Sequence, residues 1–391
     1  MAGCHADVIL SFWQQDEKEK PIAFFPEAAG DWGGCIMGHK FLFDWSNYPM
    51  VDEDKQAVIA RKGAMQMARR IFWNDGQKRL RAGWRMLAQL LIAGVLVMAA
   101  TAIWSLVSEW ILNSALAESL AVRLVVRLVK VNITWLCLVA SLALAGRFLD
   151  RRPLRDFGFA LDRNWWLDLG FGLLLGAGLM AAIFGVEYAL GWVEIRATLQ
   201  TNSNTFGIGI ILYIGMFLGV AMEEEIMARG YWLRNLAEGF TGRWLKPRGA
   251  LLLAYAISSA IFGLLHLGNE NASLVSTLNL VMAGLMLGLP YVLTGELAIP
   301  IGLHMTWNFF QGNVFGFPVS GGAPGTTFIA IQQGGADLWT GGAFGPEAGL
   351  VGVLAMLLGT GAIVLWVRLR RGRVTFESRL ADYREESANY I

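Results

Sequence analysis

Residues 221–230 read AMEEEIMARG, directly after the apolar run TFGIGIILYIGMFLGV at 205–220. Three consecutive carboxylates, Glu223, Glu224 and Glu225, thus stand at the end of a stretch long enough to cross a bilayer. An ionisable side chain at membrane depth costs about 3 kcal/mol on insertion scales, and a sequence that carries this cost usually uses the group. Helical spacing sorts the three. Glu225 and Arg229 are four residues apart on one face, acid before base, the favourable order for an ion pair. Glu224 points about 100° away around the same helix. Arg229 can therefore neutralise Glu225 and leave Glu224 free for chemistry. The plain alternative is a charged helix end at the water interface, and the rest of the chain speaks against it.

The 391 residues are 55% hydrophobic and only 16% charged, with a mean hydropathy of +0.46. That composition belongs to an all-α polytopic membrane protein rather than a soluble globule. The net charge of +1 and the lack of a basic tract with interleaved aromatics give no reason to expect nucleic acid as a partner. Cys4, Cys35 and Cys137 make no disulfide framework. Cys4-His5 with Cys35 and His39 imitates a zinc site, but the second pair has an unusual spacing and the pairs lie far apart, so no site is read there.

About eight membrane spans follow from ~20 apolar residues per crossing. They fall near 86–107, 129–148, 165–190, 206–232, 250–267, 272–293, 297–313 and 347–367. The organisation is a polar N-terminal cytoplasmic segment (1–83), N-terminal transmembrane helices (84–150), a core (151–373) and a charged cytoplasmic tail (374–391). The third span, with GFGLLLGAGLMAAIFGV, has the small residues that allow close helix packing. Basic residues follow spans two, four and eight: Arg147, Arg151, Arg152, Arg155 and Arg163, then Arg234, Arg243, Lys246 and Arg248, then Arg368, Arg370, Arg371 and Arg373. With an even span count, the positive-inside rule puts both termini in the cytoplasm. Arg123, Arg127 and Lys130 disagree with that rule, and two readings fit them: an interfacial helix, or snorkelling from the start of span two. The glycine-rich loop at 316–346 is long enough to expect a functional or mobile role.

Two of the four histidines lie inside predicted spans. Phe262 and His266 share one helix face, as do His304 and Asn308. Three helices therefore each offer a buried polar group. A lone intramembrane histidine is usually a helix–helix hydrogen bond, but two histidines, an amide and a carboxylate pair are hard to explain as packing. A carboxylate can act as general base on water held by a histidine, and Asn308 or a histidine can donate to a developing oxyanion. Alternatively Glu224, His266 and His304 could ligate zinc and so activate its water. Both routes end in hydrolysis. Ser258 and Ser259 lie near His266 without any triad pattern, and there is no HExxH, P-loop or dinucleotide fingerprint.

These motifs carry a resemblance. EEIMAR at 224–229 resembles the EExxxR motif of the CPBP (ABI) intramembrane proteases, the family of Rce1-type CAAX prenyl endopeptidases and bacteriocin-processing or immunity proteins. FGLLH at 262–266 resembles its FxxxH motif and HMTWN at 304–308 its HxxxN motif, in the family's order. The likeness spans roughly 150–370, with LRDFGF (154–159) and GGAFGPE (341–347) as lesser features. It implies an endopeptidase acting on a membrane-embedded or lipidated peptide or protein, prenylated substrates included. It implies Glu224 as the base assisted by His266, His304 and Asn308 at the oxyanion, and Glu225 with Arg229 as the supporting pair. The family has been called both metalloprotease and glutamic protease, so zinc and no metal both stand. The reading of another class is a scaffold, immunity protein or transporter with a structural polar cluster. One tension remains: counting puts His266 at the outer end of its span and His304 in the inner half of its own. Tilted or broken helices around a wet cavity would reconcile them.

Overall fold

The computed structural model describes residues 53–203, 205–242 and 245–383, so the Cys4–His39 motif and the end of the tail lie outside the described residues. The chain divides into two compact units, Met1–Ala60 and Arg61–Ile391. Of the first, only the opening of helix α1 (Glu53–Phe72) is described.

The second unit is a helical bundle. After a two-residue ribbon, β1 (Trp73–Asn74) with β2 (Arg79–Leu80), come α2 (Ala82–Leu112), α3 (Leu120–Ala145) and α4 (Arg163–Ala189). Strand β3 (Val193–Thr201) leads to α5 (Phe206–Glu225), a stretch of wide, π-type turns at Ile226–Leu233, and α6 (Arg234–Phe240). Then follow α7 (Pro247–Leu265), α8 (Leu274–Thr294), α9 (Ala298–Phe309), β4 (Thr326–Gln333), α10 (Asp337–Thr340) and α11 (Leu350–Arg371). Among the described residues, seven helical runs are long and apolar enough to cross a membrane. Leu106, Leu174 and Leu358 stand exposed on their outer faces, as a lipid-facing surface requires. The protein is an integral, multi-pass membrane protein.

The eighth expected span, 297–313, is a different object. Helix α9 has 12 residues, about 18 Å at 1.5 Å per residue, well short of a hydrocarbon core of about 30 Å. It is buried over nearly its whole length and packs into the bundle rather than facing lipid. The small residues of α4 make this possible. A Cβ at Gly172 would come within 2.5 Å of the Ile299 carbonyl oxygen, and one at Gly302 on α9 within 2.6 Å of that of Leu169. The two backbones touch because neither carries a side chain there.

Even so, α2 begins and α11 ends at the same end of the bundle, the one that carries the basic loops. Arg85 at the start of α2 reaches Asp150 beyond the end of α3 (2.7 Å), and Arg371 donates to the Thr294 carbonyl at the end of α8 (3.2 Å). Arg123, Arg127 and Lys130 lie in the first turns of α3 itself, which starts at Leu120, and form no separate interfacial helix.

At the opposite, far end a two-stranded antiparallel ribbon departs from a purely helical fold. Strands β3 and β4 pair from Val193↔Gln333 to Thr201↔Thr326, with an irregularity between Ile195 and Ala197. β4 takes eight residues from the loop expected at 316–346. The core has two parts. One gathers Met180, Ile183, Phe262, Met286 and Leu303. The other, nearer the basic end, gathers Leu142, Phe157, Ile226, Tyr231 and Tyr291.

Candidate active site

Glu224 and Glu225 sit where α5 gives way to the wide turns at 226–233. Such interruptions of the regular helical ladder recur at functional sites. Both glutamates are the last residues of α5, and its ordinary period of 3.6 residues per turn sends the two neighbouring carboxylates in different directions. Glu225 is fully buried, and its Oε1 accepts from Arg229 Nη1 (3.0 Å) and faces His304 Nδ1 (2.9 Å). Arg229 also donates to the Gly284 carbonyl (3.1 Å) and lies over the Phe262 ring at 4.3 Å. The guanidinium thus ties α5, α7 and α8 together, while Oε2 of Glu225 finds no partner among the described residues.

The two histidines are oriented by their Nδ1 atoms. His266 Nδ1 lies 2.8 Å from the Phe262 carbonyl oxygen. A carbonyl can only accept, so Nδ1 carries the proton and donates, leaving Nε2 as the free atom. His304 Nδ1 donates to the Glu225 carboxylate by the same logic. Both Nε2 atoms then face Glu224 Oε2, at 3.9 Å from His266 and 4.0 Å from His304. That oxygen has no hydrogen-bond partner among the described residues. Gaps of this length are too wide for a direct hydrogen bond and match a bridging water.

Glu224, His266, His304 and Asn308 line one cavity of about 530 Å³, together with Glu223 and Ser320. Apart from Asn269, its other walls are mostly apolar and include Leu90, Leu138, Phe217 and Leu265. Asn308 lies one helical turn beyond His304, and its amide makes no hydrogen bond among the described residues. The structure therefore brings together every residue singled out in the sequence. The mismatch in depth between His266 and His304 disappears because α9 is a short buried helix rather than a full span, and because the α5–α6 run covers 35 residues and the α7 run only 22. The middle of the long helix lies beside the end of the short one.

The zinc set read from the sequence, Glu224, His266 and His304, converges on this cavity. Yet among the described residues no group of three or more His, Cys, Asp or Glu side chains is arranged to hold a metal ion. The sequence reading missed the Glu225–His304 hydrogen bond, which links two motifs, and it missed the place of Glu347. That side chain lies beside His266 and His304 at a small adjoining cavity. Its only signal was the GGAFGPE stretch.

The comparisons follow the same residues. Residues 205–310 match the family model of the Rce1-like, type II CAAX prenyl endopeptidases. The match begins at the start of α5, ends just past α9 and contains all three motifs. No curated protein and no solved structure matches the chain.

Proposed function

Starting from an Rce1-like segment at 205–310, we propose that this protein is an intramembrane endopeptidase that cuts a membrane-associated peptide or protein, lipidated substrates included, with a glutamate-activated water. The observation that carries the reading is Glu224 Oε2, partnerless and faced by two histidine Nε2 atoms at 3.9 and 4.0 Å. A water in that gap donates one O–H to Glu224 and the other to His266 Nε2. Its oxygen attacks the scissile carbonyl as Glu224 takes the proton. The oxyanion accepts from the Asn308 amide and from His304, which between two carboxylates carries a proton on each ring nitrogen. Glu224 then gives its proton to the leaving amine as the C–N bond breaks. Glu225 and Arg229 hold His304 in place. The apolar walls around the polar cluster suit a substrate that arrives through the bilayer.

The basic end faces the cytoplasm in this reading, with both termini there. A protease-accessible tag after residue 391 that is cut only from outside intact cells would reverse it.

The direct test uses the purified chain in liposomes with two probes, a farnesylated CAAX-type peptide and an unlipidated membrane-spanning peptide. Wild type should cleave at least one of them. Glu224→Gln and His266→Ala should not, and undiminished cleavage by both variants rejects the assignment.

A further inference from the structure

Between α9 and β4 the chain passes along the wall of the catalytic cavity, where Val319 and Ser320 line it. Ser320 also borders a second cavity of about 30 Å³, which His266, His304 and Asn308 share with Glu347. Its remaining lining is apolar, and a space of that size has room for a water or two beside these polar groups. Ser320 adopts left-handed backbone, φ 46°, which a serine takes up only when its surroundings impose it. The tight turn from Val319 to Gly322 imposes it: those two residues exchange N–H to carbonyl hydrogen bonds (2.9 and 2.8 Å), with Ser320 and Gly321 (φ 89°) as the central pair, and Glu347 holds that turn. Its Oε1 accepts from the Ser320 N–H at 2.5 Å and from the Ser320 hydroxyl at 2.6 Å. Burial pushes the Glu347 carboxyl up from its ordinary range, and the Ser320 donors pull it back.

The rest of the segment is pinned as firmly. Gln311 Nε2 donates to the Pro318 carbonyl (2.6 Å), Asn269 Nδ2 to that of Ser320 (3.1 Å), and the Gly321 N–H to that of Phe344 (2.8 Å). Gly321 passes so close to Glu270 that a Cβ would overlap its carbonyl oxygen. A connection between a helix and a strand needs none of this. A turn held by a buried carboxyl beside reactive groups is how a site is kept in shape.

We propose that Glu347 is a positioning residue of the proteolytic site: through Ser320 it fixes the wall against which the substrate backbone is held opposite Glu224. The Ser320 hydroxyl gives its proton to Glu347, so its lone pairs are left to accept from a peptide N–H of the substrate. The proposal rests on the endopeptidase reading above.

The test compares kcat and KM of Glu347→Gln, Glu347→Ala and Ser320→Ala on whichever probe peptide wild type cleaves, with Glu224→Gln as control. Glu347→Gln retains an acceptor oxygen and should stay within about threefold of wild type. Glu347→Ala should raise KM about tenfold or more and Ser320→Ala about three- to tenfold, with kcat nearly unchanged, because what is lost is a contact made equally by the bound substrate and the transition state. A merely structural Glu347 would lower the amount of folded protein and leave KM alone. Unchanged KM in Ser320→Ala, which removes only a hydroxyl, overturns the proposal even if Glu347→Ala fails to fold. If Glu224→Gln is inactive in that experiment, the endopeptidase reading survives the loss. If Glu224→Gln cleaves like wild type, or wild type cleaves neither probe, that reading falls and takes the proposal with it.

Discussion

Two clusters of buried polar groups lie in this bundle, and they are built on opposite plans. At the basic end, Arg79, Arg85 and Arg152 meet Asp150 and Glu238, all with side chains at most 3% exposed. Every ion is engaged: Arg85 with Asp150 at 2.7 Å and Glu238 at 2.9 Å, Arg79 and Arg152 with Glu238 at 2.6 Å, and the Tyr231 hydroxyl with Asp150 at 2.7 Å. Burial draws the Arg79 guanidinium down to about 10 against the pull of Glu238, which leaves it charged at neutral pH. The cluster ties the start of α2 to α6 and to the end of α3. Around Glu224 the same kinds of groups stop at 3.9 and 4.0 Å and leave a carboxylate oxygen unmatched. A closed cluster holds a fold together. An open one leaves room for a reactant, and its polar groups are satisfied only when something enters.

The comparison breaks most easily at Glu224. Replacement by Gln keeps the volume and removes the base, so cleavage should fall by about 10²–10⁴-fold, while the thermal midpoint stays within experimental scatter. If Glu224→Gln unfolds earlier than Arg229→Ala, the two glutamates have been assigned the wrong way round. Arg229→Ala is the intermediate case, since this residue belongs to the site yet is bonded like the closed cluster. Stranding Glu225 inside the bundle should cost about 3–5 kcal/mol of stability and also lower activity, because Glu225 orients His304. Glu238→Ala should cost a similar ~3–5 kcal/mol by leaving Arg79, Arg85, Arg152 and Arg234 without their shared partner. Its remaining folded fraction should cleave at the wild-type rate, measured per folded molecule by calibrated unfolding. A matched loss of specific activity in Glu238→Ala would mean the two clusters are not independent.

Gly302→Ala asks whether α9 must lie against α4. The added methyl would meet the Leu169 carbonyl at 2.6 Å, and overpacking of this kind costs about 1–3 kcal/mol. Because His304 is two residues on, its imidazole should move with the helix, and cleavage should drop more than stability alone explains. Loss of stability with unchanged specific activity would show that α9 holds His304 without help from this contact.

How much of this was legible depended on the range of the interaction. The triplet at 223–225, its spacing to Arg229 and the two His motifs are local patterns, and local patterns survive in a sequence. The fold class and spans were readable for the same reason. The pairing of Glu225 with His304 crosses 79 residues and leaves no local trace. Helix α9 looked like a span because its sequence is apolar and its winding continues as wide turns through Phe310–Val314, and hydropathy does not report whether a helix faces lipid or protein. The ribbon was missed for a different reason. In VEIRATLQT the apolar residues Val193, Ile195, Ala197 and Leu199 alternate with polar ones, a period of two that is easily passed over between membrane spans. The closed cluster was unreadable because its pairs are far apart in the chain: Arg85 meets Asp150 across 65 residues and Arg79 meets Glu238 across 159.

The smallest effect is expected from metal removal, and it sharpens the comparison most finely. Two hydrolytic chemistries fit Glu224, His266 and His304, and they differ in what fills the open gap. Zinc held by this trio would require both Nε2 atoms about 2.0–2.1 Å from the ion, with Glu224 as a ligand rather than a base. Water in the gap needs only hydrogen bonds, and spacings of 3.9 and 4.0 Å suit one donating to both sides. Incubation with a chelator such as EDTA, followed by assay in metal-free buffer, should therefore change cleavage by less than about twofold, far below the loss expected for a missing base. Loss of activity on chelation, recovered by adding zinc, would make the gap a metal seat. Glu224→Gln would then be inactive for want of a ligand, and direct metal analysis of the purified variants would separate the two causes.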